Sequence, residues 1–162
     1  MPIDKLALVV ALRAQLEAEI EAMTRLARDA AAAATHEENK PENDKDMRST
    51  EASYLAAGQA GRVRELEQAE ARLGALELRA FSESDAIAST AVVTLSPERG
   101  RPIVCFVTPV SGGRRVVLDG VEIQTVTPQS PLGGALLGLS RGEEAEAPTP
   151  QGVRVYEIVR VE

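Results

Sequence analysis

The sequence predicts an α+β chain: an N-terminal antiparallel α-helical coiled-coil hairpin over residues 1–79, then an antiparallel β-sheet domain with one short helix over residues 80–162. Three observations predict it. Two long helix-period stretches flank a short, strongly charged segment. Of nine prolines only Pro2 and Pro41 precede residue 97, and nine of twelve glycines fall at or after position 100, so the first half is written for helix and the second for turns. From Thr90 onward the helix period gives way to short β-rich runs.

The first arm places Val9, Leu12, Leu16, Ile20, Met23, Ala27, Ala30 and Ala34 three or four residues apart, with Arg13, Glu17, Glu21, Arg25 and Arg28 on other faces. That is an amphipathic helix with a seam for one partner. The second arm offers Leu55, Val63, Leu66, Leu73 and Leu76. Arms of about thirty residues at 1.5 Å per residue carry the tip about 45 Å from the base, a reach that suits entry into a deep channel. Pro41 has no amide hydrogen and disfavours helix at Lys40, so the first arm should end before it. Gly58 and Gly61 face the alanine-rich end of the first arm; they either let the two backbones approach closely or kink the helix.

The tip, at about 36–51, carries six carboxylates (Glu37, Glu38, Glu42, Asp44, Asp46, Glu51) and one apolar side chain, Met47. Asp44 or Asp46 could cap the second arm, and a charge run can also be a solvated loop. A calcium loop is excluded, because counting from Asp44 puts Ser49 where glycine is needed and Leu55 in place of the closing glutamate. What the carboxylates can do is hold a divalent cation weakly. One or two carboxylates with several waters is the usual magnesium arrangement when the other ligands come from elsewhere.

In the second half the predicted strands are Thr90–Leu95, Pro102–Thr108, Arg115–Leu118, Val121–Val126 and Val153–Val161. Turns are signalled at 97–100, at 111–113 and at Asp119-Gly120, a two-residue hairpin turn. The last strand carries Val153, Val155, Ile158 and Val161 as its apolar set. Residues 130–138 read as one short helix, with Ser130 as N-cap, Pro131 at the first helical position and Gly138 as the stop.

The net charge is −7, split between the halves as −4 and −3, which argues against nonspecific binding to naked nucleic acid. Asp4 and Lys5 interrupt any apolar start, and no apolar run approaches the length of a membrane span. With a single cysteine, Cys105, in an apolar run, these features lead to the expectation of a cytoplasmic protein without membrane contact.

The stretch Thr127-Pro-Gln-Ser-Pro-Leu-Gly-Gly-Ala-Leu-Leu-Gly138, followed by Gly142, Pro150-Gln-Gly152 and Tyr156-Glu-Ile158, closely resembles the C-terminal domain of the bacterial Gre transcription elongation factors. Upstream, Glu51-Ala-Ser-Tyr-Leu-Ala-Ala57 and Arg62-Val-Arg-Glu-Leu-Glu67 are similar to that family's segments after the coiled-coil tip. The resemblance implies an FKBP-like globular domain that docks at the secondary channel of bacterial RNA polymerase, and a hairpin that enters the channel. It also implies an accessory factor and monomer, with no catalytic residues of its own, that acts on nascent RNA only through the polymerase. By match to the docking motif, Gln129, Ser130 and Pro131 contact polymerase, with Gln129 standing where many members have an acidic residue. The tip acids Glu42, Asp44, Asp46 and Glu51 would assist magnesium, Asp44 and Asp46 as weak ligands of an ion shared with the polymerase active site. That would promote hydrolysis of backtracked transcripts.

The tip departs from the family. Counting back from Tyr54, the positions of the acidic pair fall on Met47 and Thr50, so a channel binder that inhibits or modulates transcription without cleavage is the alternative. An FKBP-like fold also suggests a prolyl isomerase or chaperone, but such pockets are lined with aromatics and the predicted strands supply only Phe106 and Tyr156. Arg99, Arg101, Arg114 and Arg115 cluster near two turns, either as solvated side chains or as a face toward phosphates or acids. His36 has no partner at ligand spacing, and Cys105 reads as core.

Overall fold

The computed structural model describes residues 2–38 and 45–162, with side chains described at 2–33, 51 and 53–162. Helix α1 spans Lys5–Glu38 and α2 spans Lys45–Gly74. Strands β1 (Val92–Pro97), β2 (Ile103–Val107), β3 (Arg115–Leu118) and β4 (Val121–Val126) follow, then helix α3 (Pro131–Leu136), β5 (Glu144–Thr149) and β6 (Gly152–Val161). No helix among the described residues is long and apolar enough to cross a membrane. The chain divides into two compact units, Met1–Leu12 with Arg72–Glu162, and Arg13–Ala71.

The unit Arg13–Ala71 is a pair of antiparallel helical arms. Arg13 pairs with Glu70 at 2.6 Å and Glu19 with Arg62 at 3.5 Å, so partner numbers on α2 fall as those on α1 rise. Leu16 and Leu66 are buried, each stabilising the pair by about 1.5–3 kcal/mol. Helix α1 is described as far as Glu38, and the stop predicted before Pro41 lies outside the described residues. The seam on α2 departs from expectation. Leu66, Val63, Ala60 with Gln59, and Ala56 follow helical spacing and are at least half-buried, whereas Leu55 lies one residue, about 100°, off that line and is 59% exposed. Close packing at the two glycines is also ruled out. A Cβ on Gly58 would meet nothing within 4 Å, and one on Gly61 only Arg64 at 3.9 Å; the helix runs unbroken through both.

The other unit is built on a six-stranded sheet of order β3-β4-β2-β1-β6-β5. It is mixed rather than wholly antiparallel, because β2 and β4 pair in parallel. The turn at Asp119-Gly120, with φ of 50° and 80°, joins β3 to β4 as the dipeptide predicts. However, β4 rather than β3 lies against β2, so residues 108–114 carry the chain to the sheet edge before it returns. Strand β5 has no counterpart in the sequence reading. Its Glu-Ala-Glu-Ala-Pro-Thr run has weak strand propensity, and it survives as an edge strand where Pro148 is tolerated. In β6 the core residues are Tyr156, Ile158 and Val161, while Val153 is exposed. Strict alternation puts Val153 and Val155 on the face opposite Tyr156 and Ile158, and a register shift beside Leu95, which inserts one residue between Ile158 and Arg160, returns Val161 to the core side.

The core lies between one face of this sheet and α3, with Leu95, Cys105, Leu136 and Ile158 at zero exposure. Burial pushes the Cys105 thiol up to about 11, with a hydrogen bond donated by Gln124 at 3.4 Å opposing the rise. Leu8, Leu12 and Leu73 are fully buried in the same unit. The link after α2 is fixed at three points. Lys5 Nζ donates to the Arg79 carbonyl at 2.6 Å, Lys5 and Arg79 both stand over the Phe81 ring, and the Arg79 amide donates to Thr90 Oγ1 at 3.2 Å. Thr90, a β-branched residue at φ 70°, bears strain of about 1–3 kcal/mol in that position. Burial holds the Lys5 ammonium below its usual value, with Arg79 acting the same way and Glu162 opposing.

Candidate functional site

Residues 127–138 form a segment in which local chemistry fixes nearly every position. The Ser130 amide donates to the Thr127 carbonyl at 2.9 Å, and the Ser130 hydroxyl donates to that same carbonyl at 2.8 Å while accepting from the Gly133 amide at 3.1 Å. That arrangement is an N-cap, and Pro131 occupies the first turn as expected. Gly133 admits no side chain: a Cβ there would stand 2.0 Å from the Thr127 carbonyl oxygen. Gly138, at φ 81°, ends the element and donates to the Ile87 carbonyl at 2.9 Å.

The three docking candidates therefore divide. The Ser130 hydroxyl is committed to the cap, whereas Gln129 and Pro131 are exposed. Both flank the capping serine. Beside them a small cavity of 260 Å³ is lined by Ser130, Pro131, Leu132, Thr125, Pro148 and Tyr156, among others.

Of the tip candidates, Glu42 and Asp44 lie outside the described residues. Asp46 falls in the first turn of α2, and Glu51 is exposed on the same helix. Among the described residues no group of three His, Cys, Asp or Glu side chains could hold a metal ion.

The arginine cluster also divides. Arg115 pairs with Glu122 across β3 and β4 at 3.5 Å, while Arg99 and Arg101 line a groove of 650 Å³ together with Arg154 of β6. Sequence reasoning missed Arg154, which is one of three charged residues in β6, with Glu157 and Arg160, and carries no motif of its own. Tyr156 is the one aromatic lining either opening, and at 8% exposure it belongs mainly to the core.

The family described as "Transcription elongation factor, GreA/GreB, C-term" matches residues 120–162. The chain is 32% identical over 102 residues, 63% of its length, to the transcription elongation factor GreA of Rickettsia canadensis (strain McKiel); that match spans 59% of the relative. Among solved structures it is similar to GreA factor homolog 1 (Gfh1) of Thermus thermophilus, at 22% identity, covering 93% of this chain and 94% of that one with a TM-score of 0.38. It is also similar to a GreA/GreB elongation factor from Nitrosomonas europaea, at 23% identity, covering 69% and 91% with a TM-score of 0.37.

Proposed function

We propose that this protein is a transcription elongation factor that binds bacterial RNA polymerase at the secondary channel and inserts its hairpin toward the active site. The observation that carries the reading is the segment 127–138, matched to the GreA/GreB C-terminal family and folded so that Gln129 and Pro131 face solvent around a committed Ser130 cap. The globular unit docks; the hairpin delivers. It is an accessory factor, and the chemistry it promotes belongs to the polymerase.

At the tip, Asp44 and Asp46, with Glu42 and Glu51 nearby, add carboxylates to a magnesium ion whose remaining ligands come from the polymerase, and so favour cleavage of backtracked transcripts. A second reading is favoured by Met47 and Thr50, which occupy the positions of the family's acidic pair and offer no carboxylate. In that reading the hairpin fills the channel and slows or modulates synthesis without cleavage.

A reconstituted backtracked elongation complex decides between them. Shortened transcripts with the wild type, and lost shortening with an Asp44→Ala/Asp46→Ala variant, support the first reading. Altered synthesis without shortening supports the second. Cleavage that survives the double substitution in full overturns this choice of tip residues.

A further inference from the structure

The 650 Å³ groove opens on the core face of the sheet, where α3 does not line it. Strand alternation explains its floor. Pro97, Ile103, Gln124 and Tyr156 stand two positions from the core residues Leu95, Cys105, Val126 and Ile158 of their own strands, and Arg154 stands two beyond Tyr156. All five therefore share the core-facing side. Past the edge of the packed core, that side is left open.

Arg99 and Arg101 from the β1–β2 loop and Arg154 from β6 stand around this floor. Arg13, Arg62, Arg115, Arg141 and Arg160 each hold a carboxylate. None of the three groove arginines has an ion-pair or side-chain hydrogen-bond partner among the described residues. Glu98 is the one carboxylate lining the groove. In a chain of net charge −7, positive charge left unneutralised at one concave place is a local attractor for anions.

We infer that this groove receives an acidic polypeptide segment of the docking partner, whose carboxylates pair with Arg99, Arg101 and Arg154. The inference rests on the polymerase-docking reading, because the groove shares Gln124 and Tyr156 with the cavity beside Ser130 and Pro131, so one partner can occupy both. Guanidinium forks match carboxylates bidentately, and Ile103 supplies apolar wall for the rest of a peptide. Single-stranded RNA is disfavoured, since it is held by stacking its bases on aromatic faces and the ring of Tyr156 is buried.

The test titrates the full chain, at low ionic strength, into a fluorescein-labelled decaglutamate peptide and into a decauridine RNA with the same label. An Arg99→Gln/Arg101→Gln/Arg154→Gln variant is run beside the wild type, and because all three side chains are exposed its thermal unfolding should be unchanged. The expected result is peptide binding that falls about tenfold in the variant and fades with added salt. Peptide binding equal in both proteins, no peptide binding by the wild type, or RNA bound more tightly than peptide overturns the assignment. Capture of purified RNA polymerase separates this inference from the docking reading. No capture by the wild type removes docking and leaves the peptide titration to judge the groove, whereas equal capture by wild type and variant removes the groove's role alone.

Discussion

Between Thr127 and Gly138 nearly every residue is held by a named contact, whereas between Glu17 and Glu65 no described side chain is fully buried. The first region is held by a cap, a proline start, and a glycine with no room for a methyl group. The second relies on helix propensity, half-buried small residues and ion pairs such as Glu19–Arg62, in which the arginine is half-exposed. Exposed pairs contribute about 1 kcal/mol at most. The contrast teaches where each kind of information lies. On the proposed reading, the segment 127–138 docks and must present a fixed shape, so its sequence is constrained residue by residue. A probe needs length and tip charge, and many sequences supply those.

Substitutions can break or sharpen this contrast. The largest effect is expected at Gly133→Ala, where a methyl group would collide with the Thr127 carbonyl. A loss of about 4 kcal/mol should appear as a fall of the thermal midpoint of the sheet unit. Next comes the hairpin, where Leu66→Ala should cost about 3 kcal/mol while Leu55→Ala should stay within about 0.5 kcal/mol; denaturant unfolding followed by helical circular dichroism compares them. Equal effects would mean that the seam is misplaced. Ser130→Ala removes one cap bond and should cost about 1 kcal/mol, with Ser130→Asp recovering much of it. The smallest effect runs the other way. Gln59 Oε1 is buried without a partner among the described residues, so Gln59→Leu should stabilise the distal arms by about 0.5–1 kcal/mol, measured by amide hydrogen exchange.

Much of this was legible in the sequence for particular reasons. The two arms, the Asp119-Gly120 turn and the Ser130-Pro131 helix start all rest on local rules that tertiary contacts did not override. What escaped depends on pairing between distant segments. The parallel register of β2 and β4 follows from which hairpin strand meets β2, and nothing local to either strand encodes it. Strand β5 has alternation but not propensity, and in β6 only a one-residue shift past Ile158 lets Ile158 and Val161 share the core side with Tyr156, while Val153 and Val155 face the other way. At the candidate site, Gln129, Ser130 and Pro131 were found by motif, but the division of labour among them needed the hydrogen bonds. The Arg99–Arg101–Arg154 grouping joins a loop to a strand more than fifty residues later, which no spacing rule detects.

The central claim is that one end of this chain grips a polymerase while the other reaches its catalytic centre. Photo-crosslinking from two exposed positions, Gln129 and Glu51, in a stalled elongation complex tests it most directly. The account predicts adducts from Gln129 on the polymerase surface at the channel mouth, and adducts from Glu51 deep inside, on the catalytic subunits or the displaced RNA 3′ end. Polymerase adducts from Gln129 with none from Glu51 would contradict it.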